Sequence, residues 1–288
     1  MTNVSIIGLG AMGAALARAQ LAAGNNVSVW NRSAAKAAPL EALGARQVTS
    51  VSEAVAASLV TLVCIDNYKI SNALLADDLV APHLTNRTIV QLSTGTPKEA
   101  RDSESWLNTC GAAYLDGAIM AYPSHIGAAD TLIMVGGQKD AFEGAEAFLT
   151  LLGGDLRYLG DNIAAAAAID MAHLATSVGL YMGFAHGAHI CESEGVSVGH
   201  FAATEGRGRV RQLAEIVDAN AFELGSMHDG ASVEVWAGVV RRLQSQAADA
   251  GINCELPDFL ISIYERALKA GHGEEDIAAL IKVLRADH

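Results

Sequence analysis

The chain has 288 residues, 51% of them hydrophobic and only 5% aromatic, with a formal charge of −13. That length and apolar content fill the cores of two ordinary domains, and the abundance of alanine and glycine favours close helix contacts over bulky aromatic packing. The charge argues against a nucleic acid or an anionic membrane as partner, because either is repelled over most of such a surface; any phosphate site must be local.

Cys64, Cys110, Cys191 and Cys254 stand far apart, a spacing that signals neither a metal site nor a disulfide framework and suits reduced thiols. The N-terminal residues lead straight into a strand without a basic and apolar leader, so a cytoplasmic location is expected.

From residue 3 to about 160 short β-branched runs alternate with helical segments, the pattern of a parallel sheet covered by helices. Strands are expected at Val4–Ile7, Asn26–Trp30, Leu59–Ile65, Thr88–Leu92, Ala113–Ala118 and Thr131–Val135. Helices are expected between them, among them Met12–Ala23, Ser52–Ala56 and Pro97–Cys110.

Directly after the first strand comes Gly8-Leu9-Gly10-Ala11-Met12-Gly13, a G-x-G-x-x-G turn at the mouth of a helix. In that context Gly8 permits a tight turn, Gly10 lets backbone approach a pyrophosphate, and Gly13 lets helix and strand touch. The helix N-terminus adds N–H groups and positive dipole.

The second strand ends in Asn31-Arg32-Ser33, with Lys36 close behind. An NAD-binding strand usually offers Asp or Glu here to the ribose hydroxyls. An Arg, a hydroxyl and a Lys instead match a 2′-phosphate dianion, so NADPH is the expected cofactor; the alternative is that Arg32 and Lys36 are simply solvated. Cys64 and Ile65 at one strand end, and Ser93 and Thr94 at the next, should face the nicotinamide half, since ligands in such sheets lie beyond the carboxyl ends of the strands. Ser93 and Thr94, with Thr96, are also eligible as caps of the helix that Pro97 begins.

After Gly160 the strands stop. About 163–194 forms one helix of about 30 residues, roughly 45 Å long at 1.5 Å per residue, apolar on nearly every face, for which the roughly 95 residues that follow it supply only part of the cover; a second subunit supplies the rest. Asp170, His173, His186 and His189 within it argue against a membrane span. Val210–Asn220, Val233–Ala250, Pro257–Ala270 and Glu274–Arg285 are helical by periodicity, so the second half is all-α. The organisation expected is residues 1–160 as the cofactor domain and 161–288 as a helical substrate and dimerisation domain.

The stretches GLGAMG, WNRS, STGTP and DGAIMAYPSHIG, followed by the long helix, resemble the 6-phosphogluconate/β-hydroxyacid dehydrogenase superfamily across essentially the whole chain. The resemblance implies an α/β Rossmann domain followed by an all-α domain with a long inter-domain helix, in a dimer whose helical domains interleave. The hydroxyacid branch carries a catalytic Lys early in that helix and a Ser-Gly-Gly segment. Here Asp170 stands where the Lys falls, and Ile119-Met120-Ala121-Tyr122-Pro123 replaces Ser-Gly-Gly.

Both departures, with Asn31-Arg32-Ser33 and Gly271-His272-Gly273-Glu274-Glu275-Asp276, resemble imine reductases and reductive aminases. Several reductive aminases have a Tyr where Val178 stands. The implied activity is NADPH-dependent reduction of a small imine.

The chemistry is coherent on its own terms. A Lys suits a carboxylate substrate or a forming alkoxide, whereas a carboxylate suits an iminium, which Asp170 can orient, neutralise or protonate. An i,i+3 pair with His173 is the structural alternative. Asp170, His173, Ser177 and Tyr181 share one helix stripe and form the expected polar wall of a substrate pocket. Met120, Tyr122 and Trp236 are further lining candidates, Trp236 from the partner subunit, unless they are core residues. Two competing activities share the fold: a hydroxyacid dehydrogenase or aldehyde reductase with an unusual acid, and a non-catalytic NADPH sensor.

Overall fold

The computed structural model describes residues 3–204 and 231–286, apart from the side chain of Tyr181; the helix expected at Val210–Asn220 lies outside the described residues. The chain divides into two compact units, Met1–Ala175 and Thr176–His288.

The first unit is built on a sheet whose strands are β1 (Asn3–Ile7), β2 (Asn26–Trp30), β3 (Arg46–Gln47), β4 (Val60–Val63), β5 (Thr88–Gln91), β6 (Ala113–Ile119), β7 (Leu132–Gly137) and β8 (Asp155–Tyr158). Their order is β3-β2-β1-β4-β5-β6-β7-β8. The chain works outward from β1 in one direction, then returns and works outward in the other. The order therefore reverses between β1 and β4, and a crevice opens there beyond the strand ends.

Helices α1 (Ala11–Ala22), α2 (Ala38–Glu41), α3 (Val51–Ala57), α4 (Tyr68–Leu75), α5 (Pro97–Thr109) and α6 (Lys139–Leu149) follow the strands. Alternation along β1 explains why both faces are covered: Val4 and Ile6 join one apolar cluster with Leu16 and Leu62, while Ile7 joins another with Val55 and Leu84. Each such side chain contributes about 1.5–3 kcal/mol when fully buried. Side-chain caps start the helices where the sequence provides them. Ser50 accepts the Glu53 N–H, Asn67 accepts that of Ile70, and Thr96 forms a reciprocal capping box with Glu99.

Two departures from the expected parallel sheet have local causes. β7 pairs antiparallel with β6, because the twelve residues between them (120–131) contain only a 3-10 turn at Pro123–His125 and no crossover helix. β3 and β8 extend the edges; β3 is two residues long, and β8 carries charged Asp155 and Arg157.

Helix α7 runs from Ala165 to Ser193, 29 residues. The chain reaches it across bare backbone: a Cβ on Gly136 of β7 would lie 2.6 Å from the carbonyl oxygen of Asn162.

In the second unit the helices Val233–Ala250 and Glu255–Lys269 pack through Val233, Ala237, Val240, Ile261, Tyr264 and Ala267. Glu274–Arg285 is not one helix. Asp276 caps a 3-10 turn at Ile277–Ala279, and an α-helix begins only at Leu280. The residues before it are otherwise engaged: the Glu275 carboxylate meets His272 at 2.7 Å and also Lys282, and its carbonyl accepts the Val233 N–H.

Candidate active site

The crevice beyond β1 and β4 has a volume of about 560 Å³. Its floor is the glycine turn. Gly8 has φ +100°, a conformation L side chains rarely adopt, and its Cβ would lie 2.2 Å from the Cys64 carbonyl oxygen. A Cβ on Gly13 would lie 2.0 Å from the Gly8 carbonyl oxygen, which is how closely α1 approaches the turn. Gly10 is different: no atom lies within 4 Å of where its Cβ would be, so its backbone faces open space. Ala11 and Met12 continue the wall at the N-terminus of α1.

Asn31 ties the second strand to this turn. Its Oδ1 accepts the Leu9 N–H at 2.9 Å, and its Nδ2 donates to the Ser33 carbonyl at 3.0 Å. Leu9 thus contributes backbone, while its side chain is buried in the core. Exposed Arg32, Ser33 and Lys36 line the same crevice, and Trp30, Ile70 and Leu74 give it an apolar wall. The residues fit a dinucleotide phosphate: bare backbone at Gly10, a helix N-terminus beside it, and two cations with a hydroxyl at the end of β2.

Met12, Cys64, Ile65 and Asp66 are shared with a second cleft of about 300 Å³, which Ser93, Thr94 and Asp170 also line. Ser93 Oγ accepts the Ile65 N–H at 2.9 Å, joining the two strand-end loops. Ser93 is thus a loop tie and not a cap of α5, a role that falls to Thr96. Burial pushes the Cys64 thiol up to about 11, so it is unreactive at neutral pH.

Asp170 stands one turn and a half into α7, half-buried among Ala118, Ile119 and Ala121 of the cleft. Burial raises its pKa above the ordinary carboxylate value, and the His173 charge pulls it back. His173 itself is exposed, so the two interact through charge and not through a buried pair.

The remaining candidates are placed differently. The cleft wall after β6 is Ile119 and Ala121. Met120 packs instead on Ala118, Met134 and Ala166, and Tyr122 is 70% exposed, edge-on to His125. Trp236 packs at the margin of the second unit's core. Ser177 is half-buried further along α7, and the Tyr181 side chain is outside the described residues.

Asp66 follows Ile65 in the same strand-end loop and lines both clefts; buried at β6, Asp116 and Tyr68 form a pair that the sequence pattern alone does not announce. An aspartate in the middle of the apolar run Tyr114-Leu115-Asp116-Gly117-Ala118-Ile119 is the one local hint of it.

A doubly wound sheet with a glycine turn at its point of reversal defines a Rossmann-type protein. Residues 3–160 match the NAD binding domain of 6-phosphogluconate dehydrogenase, and residues 162–286 match the C-terminal domain described as NADPH-dependent reductive aminase-like. The chain is 31% identical to an NADPH-dependent reductive aminase of Aspergillus oryzae, over 98% of this chain and 97% of the relative. Among solved structures, an imine reductase from Myxococcus stipitatus in complex with NADP+ superposes with a TM-score of 0.92 at 32% identity, covering 98% of this chain and 99% of that one. A reductive aminase from Aspergillus terreus in complex with NADPH and ethyl-5-oxohexanoate superposes with a TM-score of 0.87 at 31% identity, covering 99% and 100%. The chain belongs to the 6-phosphogluconate dehydrogenase-type family of NAD-binding proteins, in its reductive aminase and imine reductase branch.

Proposed function

We infer that this chain is an NADPH-dependent imine reductase, an oxidoreductase that converts a C=N bond into an amine. The observation that carries the reading is Asp170, a half-buried carboxyl in a cleft that shares a wall with the cofactor crevice. The relatives named above support it, two of them being complexes with NADP+ or NADPH.

When bound, the cofactor supplies the hydride that the imine carbon accepts. The chain's own residues do the rest. The Gly8–Gly13 turn and the N-terminus of α1 hold the pyrophosphate. Arg32, Ser33 and Lys36 hold the 2′-phosphate, Asn31 keeps their loop in register with the turn, and Trp30, Ile70 and Leu74 cover the adenine. Cys64, Ile65, Ser93 and Thr94 border the nicotinamide. Asp170 faces the imine nitrogen, where it donates the proton that makes the carbon electrophilic and then offsets the iminium charge. His173, Ser177 and Tyr181 continue the helix stripe that Asp170 begins along α7.

Residues 1–160 form the cofactor domain and 161–288 the substrate and dimerisation domain in this reading, supported by family matches that end at 160 and begin at 162. The enzyme is a cytoplasmic homodimer with interleaved helical domains. Apolar exposure along α7 supports the dimer, with Val178 at 58%, Leu180 at 47% and Met182 at 54%; four free cysteines suit a reducing compartment. Among the described residues no helix is long and apolar enough to cross a membrane.

The test is NADPH oxidation with a five- or six-membered cyclic imine, run beside a small 3-hydroxy acid with NADP. Imine turnover with little hydroxyacid oxidation is expected; the opposite pattern overturns the reading. Arg32→Ala should cost NADPH, and not NADH, about ten- to a hundredfold in kcat/KM, the worth of a charge-assisted contact.

A further inference from the structure

The four residues common to the crevice and the second cleft, Met12, Cys64, Ile65 and Asp66, differ in what they offer a ligand. A dinucleotide seated on the glycine turn with its nicotinamide in the second cleft has to pass this junction. The part of NADPH between pyrophosphate and nicotinamide is a ribose with two hydroxyls. Met12 and Ile65 have apolar side chains, and the Cys64 thiol stays protonated. The backbone donors are engaged as well, the Cys64 N–H with the Ile7 carbonyl at 2.9 Å and the Ile65 N–H with Ser93 Oγ at 2.9 Å. Asp66 alone brings a strong acceptor on its side chain.

That carboxylate is exposed yet held in place. Asn67 Nδ2 donates to Asp66 Oδ2 at 2.9 Å, and Asn67 is itself fixed, because its Oδ1 accepts the Ile70 N–H at 3.0 Å and caps α4. Ser93 pins the residue before it. Among the described residues Asp66 makes no ion pair and no second side-chain hydrogen bond, which leaves its charge and its Oδ1 to a ligand.

Resting on the NADPH assignment, we propose that Asp66 is a further cofactor-binding residue: its carboxylate accepts the hydroxyls of the ribose next to the nicotinamide and so fixes the reactive ring at the cleft that holds Asp170.

The chain then treats the two riboses of the cofactor by opposite charge. Where an NAD enzyme sets Asp or Glu against the adenine ribose, this chain has Arg32, Ser33 and Lys36, which suit the 2′-phosphate. The other ribose carries two free hydroxyls, and a carboxylate suits these as donors. The charge of the pyrophosphate is met by the glycine turn and the N-terminus of α1. A carboxylate that served only to steady the Asn67 cap would not need to border both clefts.

Calorimetric titration of three ligands tests this without turnover. NADPH carries the whole group; adenosine diphosphoribose 2′-phosphate keeps the second ribose without the nicotinamide; adenosine 2′,5′-bisphosphate has neither. Asp66→Ala should weaken the first two by about five- to fiftyfold, since a charged acceptor keeps part of its worth at an exposed position, and should leave the third within about twofold. Asp66→Asn should show the same ordering with a smaller loss, and it decides alone should Asp66→Ala not fold. Equal losses on all three ligands make Asp66 a support of the crevice and overturn the proposal. NADPH binding that is unchanged or tighter does the same, and a loss confined to NADPH moves the contact from the ribose to the nicotinamide. Failure of the wild type to bind any of the three overturns the NADPH assignment itself.

Discussion

Asn31 Oδ1 accepts the Leu9 N–H at 2.9 Å, which joins the loop after β2 to the glycine turn 22 residues earlier. Asn31→Ala leaves that N–H without its partner and frees the loop that carries Arg32. NADPH should bind more weakly by about 1–2 kcal/mol, roughly five- to thirtyfold, with kcat little changed. Fluorescence titration of the cofactor checks this; an unaltered Kd removes Asn31 from the binding apparatus.

Gly10 and Gly13 make opposite predictions within one motif. Gly13→Ala drives a Cβ to 2.0 Å from the Gly8 carbonyl oxygen, so it should destabilise the fold by about 1–3 kcal/mol. Gly10→Ala meets no atom within 4 Å; its melting temperature should stay close to the wild type while cofactor affinity falls, because the new methyl occupies the space the pyrophosphate needs. Thermal melts with and without NADPH distinguish the two.

Asp170→Ala should bind NADPH normally and reduce neutral imines about 10²–10⁴-fold more slowly if general-acid catalysis is its role. Asp170→Lys restores the charge of the hydroxyacid branch and should repel an iminium. Steady-state rates with a cyclic imine decide, and wild-type activity in Asp170→Ala ends the assignment.

Asp116 predicts how stability depends on pH. Its carboxyl is pushed up to about 7 from a usual 3.8. Between those values the folded state holds more protons than the unfolded one, so stability falls as pH rises through that window. Asp116→Asn removes the effect. Relative to wild type, the variant should gain on the order of 2–4 kcal/mol between pH 4 and pH 8. Denaturant midpoints across that range measure it, and parallel curves contradict it.

Exposed Val178, Leu180 and Met182 on α7 predict an obligate dimer. Sedimentation at micromolar concentration should find no active monomer; a stable, active one refutes the shared helical core.

What the sequence disclosed depended on how local the signal was. The glycine turn, Arg32 and the cap at Thr96 are read within a few residues, and their places follow from the strand before them. β8 was hidden because its burial does not alternate cleanly and its residues include a facing Asp155–Arg157 ion pair. The antiparallel β7 was hidden because an apolar run carries no direction; only the missing crossover helix betrays it. Tyr122 looked like pocket lining by position in its motif, yet the turn at Pro123 leaves it in solvent. The Tyr68–Asp116 bond spans 48 residues of sequence, and no periodicity encodes such a meeting.

The reversal at β7 also has a geometric consequence for the acid. Because β7 and β8 run against the first six strands, the chain leaves the sheet at the end opposite the cofactor crevice, and the helix that follows climbs back toward it. Asp170 is therefore delivered by residue count: five positions beyond Ala165, at about 1.5 Å each, raise it about 7–8 Å. One residue inserted between Ala166 and Asp170 would turn the carboxyl by about 100° and lift it one step, away from the cleft, without altering any strand of the sheet.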